Sequence, residues 1–188
     1  MSFSRWGRRL GPAIAVVFLL AGGWLMSPAA DSGPSPFARD TIDIGVVVGD
    51  LDRAVKFYTE AIGFKEVPGF SVDAEFCTNA GLTDGKRLDI RVLVLGDEAS
   101  ATRLKLMEVP SAQPKRAENA HIHSQLGYSY LTIYVADGNR ALERLGRAGV
   151  RPLGRGPVPL PADLTPGLAL TVVRDPDGNL IELIGPVR

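Results

Sequence analysis

The chain has 188 residues, 45% of them hydrophobic, and its 21 basic residues balance 21 acidic ones. That apolar content at zero net charge excludes a chain disordered throughout. It also leaves no surplus positive charge to neutralise a phosphate backbone, so nucleic acid is not an expected partner. A single cysteine, Cys77, excludes an internal disulfide, a cysteine zinc cluster and a CxxC redox pair.

Residues 1–10, MSFSRWGRRL, carry Arg5, Arg8 and Arg9 and no acid, and Gly11–Met26 then run without a charge. A basic start followed by an apolar stretch is the layout of a secretory signal. The small residues of Ser27-Pro28-Ala29-Ala30 offer a cleavage point. The alternative is an uncleaved anchor over residues 10–26, a stretch that falls short of the roughly 20 residues of a full span. Residues 1–30 are therefore read as a signal peptide or membrane anchor. The folded part is expected outside the cytoplasm, periplasmic or extracellular, or held at the membrane by its N-terminus. Residues 31–39 open with DSGPSPFA, a Pro/Gly/Ser-rich linker.

From residue 40 to 187 one pattern is written twice. Thr41–Val48 (TIDIGVVV) alternates as a strand, with Ile42, Ile44, Val46 and Val48 on one side and Asp43, Gly45 and Val47 on the other. Asp50 then caps a helix, LDRAVKFYTEAI, with Leu51, Ala54, Val55, Phe57, Tyr58 and Ile62 as its apolar stripe and Gly63 as its stop. Residues 128–149 repeat the order: a strand, Asp137 as cap, a helix with Ala141, Leu142 and Leu145 inward, then Gly149. Asp43 lies seven residues before Asp50, and Tyr130 seven before Asp137, which points to duplicated modules about 87 residues apart.

Each module continues with strands. The first has Phe64–Phe70, Arg87–Leu95 and Thr102–Val109. The second has Val150–Leu153, Leu168–Arg174 and Asn179–Ile184, the last two joined by the turn Asp175-Pro176-Asp177-Gly178. The order is βαβββ twice, with modules at about 40–110 and 127–187 and a connecting segment at 110–127. Alternation assigns Ile42, Ile44, Val46, Val55, Tyr58, Leu131, Ile133, Val135, Leu142, Leu145, Ile181 and Leu183 to the sheet–helix core.

The stretches DIGVVVGDLDRAVKFYTEAIGF at 43–64 and VVRDPDGNLIELIGP at 172–186 resemble the vicinal oxygen chelate superfamily. That superfamily includes glyoxalase I, extradiol dioxygenases and bleomycin-resistance proteins. The resemblance implies an α+β fold of two βαβββ modules, an eight-stranded mixed sheet curled into a funnel with helices outside. It also implies a ligand in the funnel, often beside a divalent metal (Zn, Ni, Mn or Fe), and a homodimer is compatible with it.

The family's metal ligands fall on Asp43, Lys105, Tyr130 and Glu182. Only Glu182 is a usual occupant. Lys105 is the departure, because an ammonium has three donors and no acceptor and repels a cation. The metal site of glyoxalase I is therefore not expected, and Lys105 takes over the job of relieving the two carboxylates. A network that only holds the barrel together accounts for the same residues.

Further candidates are Arg91, for a substrate carboxylate or a structural ion pair, and the stripe Tyr128, Tyr130 and Tyr134 on one strand face. His121 and His123 are the only histidines. A shifted metal set of Asp43, His123 and Glu182 is the alternative. If the chain is an enzyme, Glu182 and Tyr130 are its catalytic candidates.

Two functional readings follow. One is a metal-free binder of a small oxygen-rich or aromatic molecule, of the bleomycin-resistance type. The other is a metal-dependent lyase, isomerase or extradiol-type dioxygenase with a divergent ligand set.

Overall fold

The computed structural model describes residues 38–39, 41–98, 100–161 and 163–187. The signal peptide or anchor and most of the linker lie outside the described residues, and the compact unit begins at Arg39. Among the described residues no helix is long and apolar enough to cross a membrane.

In the described residues, eight strands and three α-helices follow one another as β1 (Asp43–Val47), α1 (Leu51–Lys56), β2 (Lys65–Val72), α2 (Ala74–Asn79), β3 (Leu88–Val94), β4 (Arg103–Glu108), β5 (Tyr130–Tyr134), α3 (Gly138–Arg147), β6 (Val158–Pro159), β7 (Leu168–Arg174) and β8 (Leu180–Pro186). The strands form two mixed four-stranded sheets, β1-β4-β3-β2 and β5-β8-β7-β6. The two orders are the same, as duplicated modules require. In each, the first strand lies parallel beside the last, and the crossover helix returns the chain to the sheet.

Helix starts follow the aspartates. Asp50 accepts from Arg53 N at 2.9 Å, and Asp137 accepts from Arg140 N at 3.1 Å. Beyond Lys56 the first helix widens into a π-helical stretch, Phe57–Ile62, which turns Phe57, Tyr58, Ala61 and Ile62 inward together. Gly63 closes it at φ 104°, a left-handed conformation that a β-carbon resists.

The main core draws on both modules, uniting Val55, Tyr58, Leu93, Leu104 and Leu106 with Ile133, Leu145, Ile181 and Leu183. Ile44, Val46, Leu131, Val135 and Leu142 pack on it, half-buried. Ile42 does not belong there. It precedes β1 and is 68% exposed, because pairing starts only at Asp43 and nothing holds the alternation before it.

Two further differences concern the strands. The second module's outer strand is not Val150–Leu153 but the short Val158–Pro159, paired with β7. Val150 instead packs on the core as a loop residue. The helix α2 stands where the alternation and capping patterns predict no element. Its Asp73 cap accepts from Phe76 N at 2.8 Å, and it buries Cys77 against Leu88, Ile90 and Val92 in a second, smaller core. These residues stand on the sheet face opposite α1. Val92 and Ile90 pair with Lys105 and Met107, whereas Leu93 pairs with Leu104 of the main core. In β2, Pro68 and Gly69 break the register with β3. Gly69 passes so close that an added β-carbon would lie 2.3 Å from Ile90 O, so no other residue fits.

Candidate functional site

Burial of Ile44 and Val46 in β1 sends Asp43 to the face away from the main core. Register places Lys105 of β4 on that same face, opposite Gly45. The two side chains meet, with Lys105 Nζ 2.8 Å from Asp43 Oδ2. Arg39, which the sequence reading left in the linker, brings its guanidinium to 2.8 Å from Asp43 Oδ1. One carboxylate, 16% exposed, thus sits between two cations. The hydrogen bond from Lys105, with Arg39 and the charges of both cations behind it, holds the Asp43 carboxyl below its ordinary range against the opposing pull of desolvation.

Asp43 lines a cavity of about 320 Å³ where β1 of the first module faces β5 of the second. Ile42, Ile44 and Val46 supply one wall. Tyr128, Tyr130, Leu131 and Leu180 supply the other, with Tyr58 and Asn179 also lining it. Tyr58 donates to Asp175 Oδ2 at 3.0 Å. Asp175, only 5% exposed, accepts three further hydrogen bonds, from Asn179 Nδ2, Asn179 N and Asp177 N. Burial first, and the Asp175 carboxylate second, push the Tyr58 phenol above its ordinary value, so it remains a donor.

Of the four positions expected to converge, Asp43 and Tyr130 line the cavity, and Lys105 joins through Asp43. Glu182 does not join them. It pairs in register with Thr132 and accepts that residue's hydroxyl at 2.8 Å. The reason is topological. Behind β1 and β5, β4 and β8 each lie one strand back, about 4.8 Å away, and β8 reaches the cavity through Leu180 and Ile181, not through Glu182. Lys105 spans that offset with its long side chain, and Glu182 is engaged by its neighbour.

Tyr134 is 75% exposed and lies outside the cavity lining. Arg91 is on the helix-bearing face, opposite to Lys105. It holds Glu66 through two hydrogen bonds and Asp52 of α1 at 3.0 Å, so it does not reach the cleft. The expected alternation was sound, but its phase puts Arg91 in step with Leu93 and Leu106.

His121 and His123 stack in the connecting segment with ring centroids 5.4 Å apart. Among the described residues no three His, Cys, Asp or Glu side chains form a group able to hold a metal ion, so Asp43, His123 and Glu182 are not assembled as a ligand set. Nor does the family's own set fit a cation. An ammonium stands against Asp43, and Glu182 is turned to a hydroxyl.

The profile of the Glyoxalase/Bleomycin resistance protein/Dioxygenase superfamily matches residues 42–183. The chain belongs to this superfamily. No curated protein matches the sequence. Among solved structures, a glyoxalase family protein from Bacillus cereus aligns at TM-score 0.67 and 21% identity, covering 82% of this chain and 98% of its own. Glyoxalase I from Zea mays aligns at 0.58 and 22%, over 79% of this chain and 45% of the maize chain. The trypanothione-dependent glyoxalase I of Leishmania major aligns at 0.54 and 24%, over 79% and 87%. These likenesses establish the fold. Within the superfamily frame, the two motifs of the sequence meet physically, since Tyr58 of the first bonds Asp175 of the second. The motifs that reveal membership therefore hold the modules together, and they also supply part of the cavity lining, including Asp43, Tyr58 and Asn179.

Arg39 and the Tyr58–Asp175–Asn179 network were not singled out from sequence. The turn DPDGN was visible, but only as a hairpin signal. Arg39 stands four residues before Asp43, a spacing that carries no meaning outside a helix.

Proposed function

We propose that this chain is an exported binder of a small oxygen-rich or aromatic molecule, held in the inter-module cleft without the divalent metal of its relatives. The observation that carries the reading is the ion pair of Lys105 Nζ with Asp43 at 2.8 Å. A cation bonded to the carboxylate satisfies the charge that a metal would otherwise answer, and a second positive charge beside it would be repelled. The cavity's mixture of aliphatic wall, tyrosines and an amide suits a ligand with an apolar body and a few oxygens. The N-terminal basic and apolar run supports export.

Calorimetric titration with Zn, Ni, Mn and Fe(II) salts tests the metal half. Wild type is expected to show no binding, whereas Lys105→Glu, which presents oxygen donors, gains affinity for Mn. Tight stoichiometric metal in the wild type would overturn the reading and restore a metal-dependent lyase, isomerase or dioxygenase. For the ligand half, a thermal-shift screen of small phenols and hydroxyketones should give hits that weaken in Tyr130→Ala. Hits indifferent to that change would place the ligand elsewhere.

A further inference from the structure

A second concavity lies away from the cleft just described. It has a volume of about 390 Å³ and is framed by α1 with its π-helical continuation, the segment after α3, and the corner between β7 and β8. Its apolar lining includes Phe57, Ala61, Val150 and Leu153. Phe57 and Ala61 are buried, Val150 is half-buried, and Leu153 is 45% exposed. Four basic side chains line the same groove, Arg53, Lys56, Arg151 and Arg174, against two carboxylates, Glu60 and Asp175.

The engagements of these groups differ. Arg53 donates to Asp177 at 3.0 Å. Arg174 is spent on four oxygens of the chain, Asn119 Oδ1, Asn119 O, Ala120 O and Gly178 O. Asp175 has its lone pairs filled by four donors from Tyr58, Asp177 and Asn179. That leaves Lys56, Arg151 and Glu60, whose charged groups have no hydrogen-bond or ion-pair partner among the described residues. Arg151 is not needed as a helix cap either. Carbonyls at the end of α3 already accept from Ala148, Gly149 and Val150 N–H.

We propose that this groove binds a small amphiphile with an anionic head, a carboxylate, sulfate or phosphate on a short apolar body. The body covers Phe57, Val150 and Leu153, and the head lies between Lys56 and Arg151. An apolar floor alone would accept a neutral molecule. The two unengaged cations select the charged one, since a charge-assisted hydrogen bond beside a partly desolvated floor is roughly twice as strong as a neutral one. Glu60 and Asp175 are the opposing charges, and the groove's four cations outweigh them.

Octanoate and 1-octanol, which share a tail and differ in head charge, are the probes. Isothermal titration of the full chain should show saturable octanoate binding and much weaker octanol binding. In the double variant Lys56→Glu/Arg151→Glu the octanoate affinity should fall about tenfold or more, while Lys105→Ala leaves it unchanged. With the unsubstituted ¹⁵N-labelled chain, octanoate should shift the amides of Phe57, Val150 and Leu153, a readout that does not depend on any variant folding. Equal octanoate and octanol affinity, or shifts confined to Tyr130 and its neighbours, would overturn the proposal. So would sedimentation showing a dimer that the double variant dissolves, since a second copy would then cover the groove.

Discussion

The two modules share connectivity and strand order, yet they present different chemistry on the face away from the main core. The first carries Asp43 between Arg39 and Lys105, and α2 covers the rest of that face with the apolar group around Cys77. The second carries Tyr130, Thr132 and Tyr134 on β5 beside Glu182, and among the described residues no helix stands between β6 and β7 where the first module has α2. On the opposite face the modules are alike, both giving aliphatic residues to one core. The two modules thus agree in what packs and differ in what lies on the partly exposed face. Burial tolerates few substitutes, whereas a partly exposed face restricts composition much less.

The strongest test of that division removes matched core residues. Leu106 of β4 and Leu183 of β8 are paired with Val46 and Ile133, equivalent positions of the first strands, and both are buried. Leu106→Ala and Leu183→Ala should each cost about 2–5 kcal/mol in denaturant unfolding. A loss below about 1 kcal/mol in only one would show that the shared core is not evenly supported by the two halves.

Next in size is the bond between modules. Tyr58→Phe keeps the ring and removes the donor, leaving the buried Asp175 carboxylate with one partner fewer. The expected loss is about 1–3 kcal/mol, read from urea melts. If Tyr58→Phe is neutral while Asp175→Ala is severe, then the backbone turn, and not the link, is what Asp175 serves.

How much of this was legible beforehand depends on the range of the interaction. Caps at Asp50 and Asp137, the turn at Asp175–Gly178 and the alternation of β1, β3, β5 and β8 are local, and local patterns read directly. The short helix α2 was hidden because AEFCTN buries only Cys77, too little for an apolar period. The fate of Glu182 and Arg91 was hidden for another reason. Alternation gives two faces, but which face meets which neighbour depends on sheet order, and Arg91's partners lie 25 and 39 residues away.

Smaller effects sharpen the contrast between the two outer faces. Because hydrogen bonding to Lys105 lowers the folded-state pKa of Asp43, its ion pairs contribute stability above the unfolded value of about 3.9. That contribution is lost as pH falls through the lower folded value. The stability difference between wild type and Asp43→Asn should therefore be constant near neutral pH and shrink toward acid, a trend thermal melts at several pH values can follow. An unchanging difference down to pH about 2 would mean that the carboxylate is not the source. The least effect is expected from Lys105→Met and Thr132→Val, one from each face. Each should change stability by less than about 1 kcal/mol, since the partners are partly exposed.

The hydrogen bond from Tyr58 to Asp175 spans 117 positions of the chain. A polypeptide emerging from the ribosome completes the first module's four strands by Glu108, well before that acceptor exists. Until the second module arrives, the Tyr58 hydroxyl must point to water, and the apolar surface of the first helix lacks Ile181 and Leu183 to cover it. The halves are therefore expected to mature together, late in synthesis, with the closing of a long loop as the slow event. Such a chain keeps its apolar helix face uncovered through most of its synthesis.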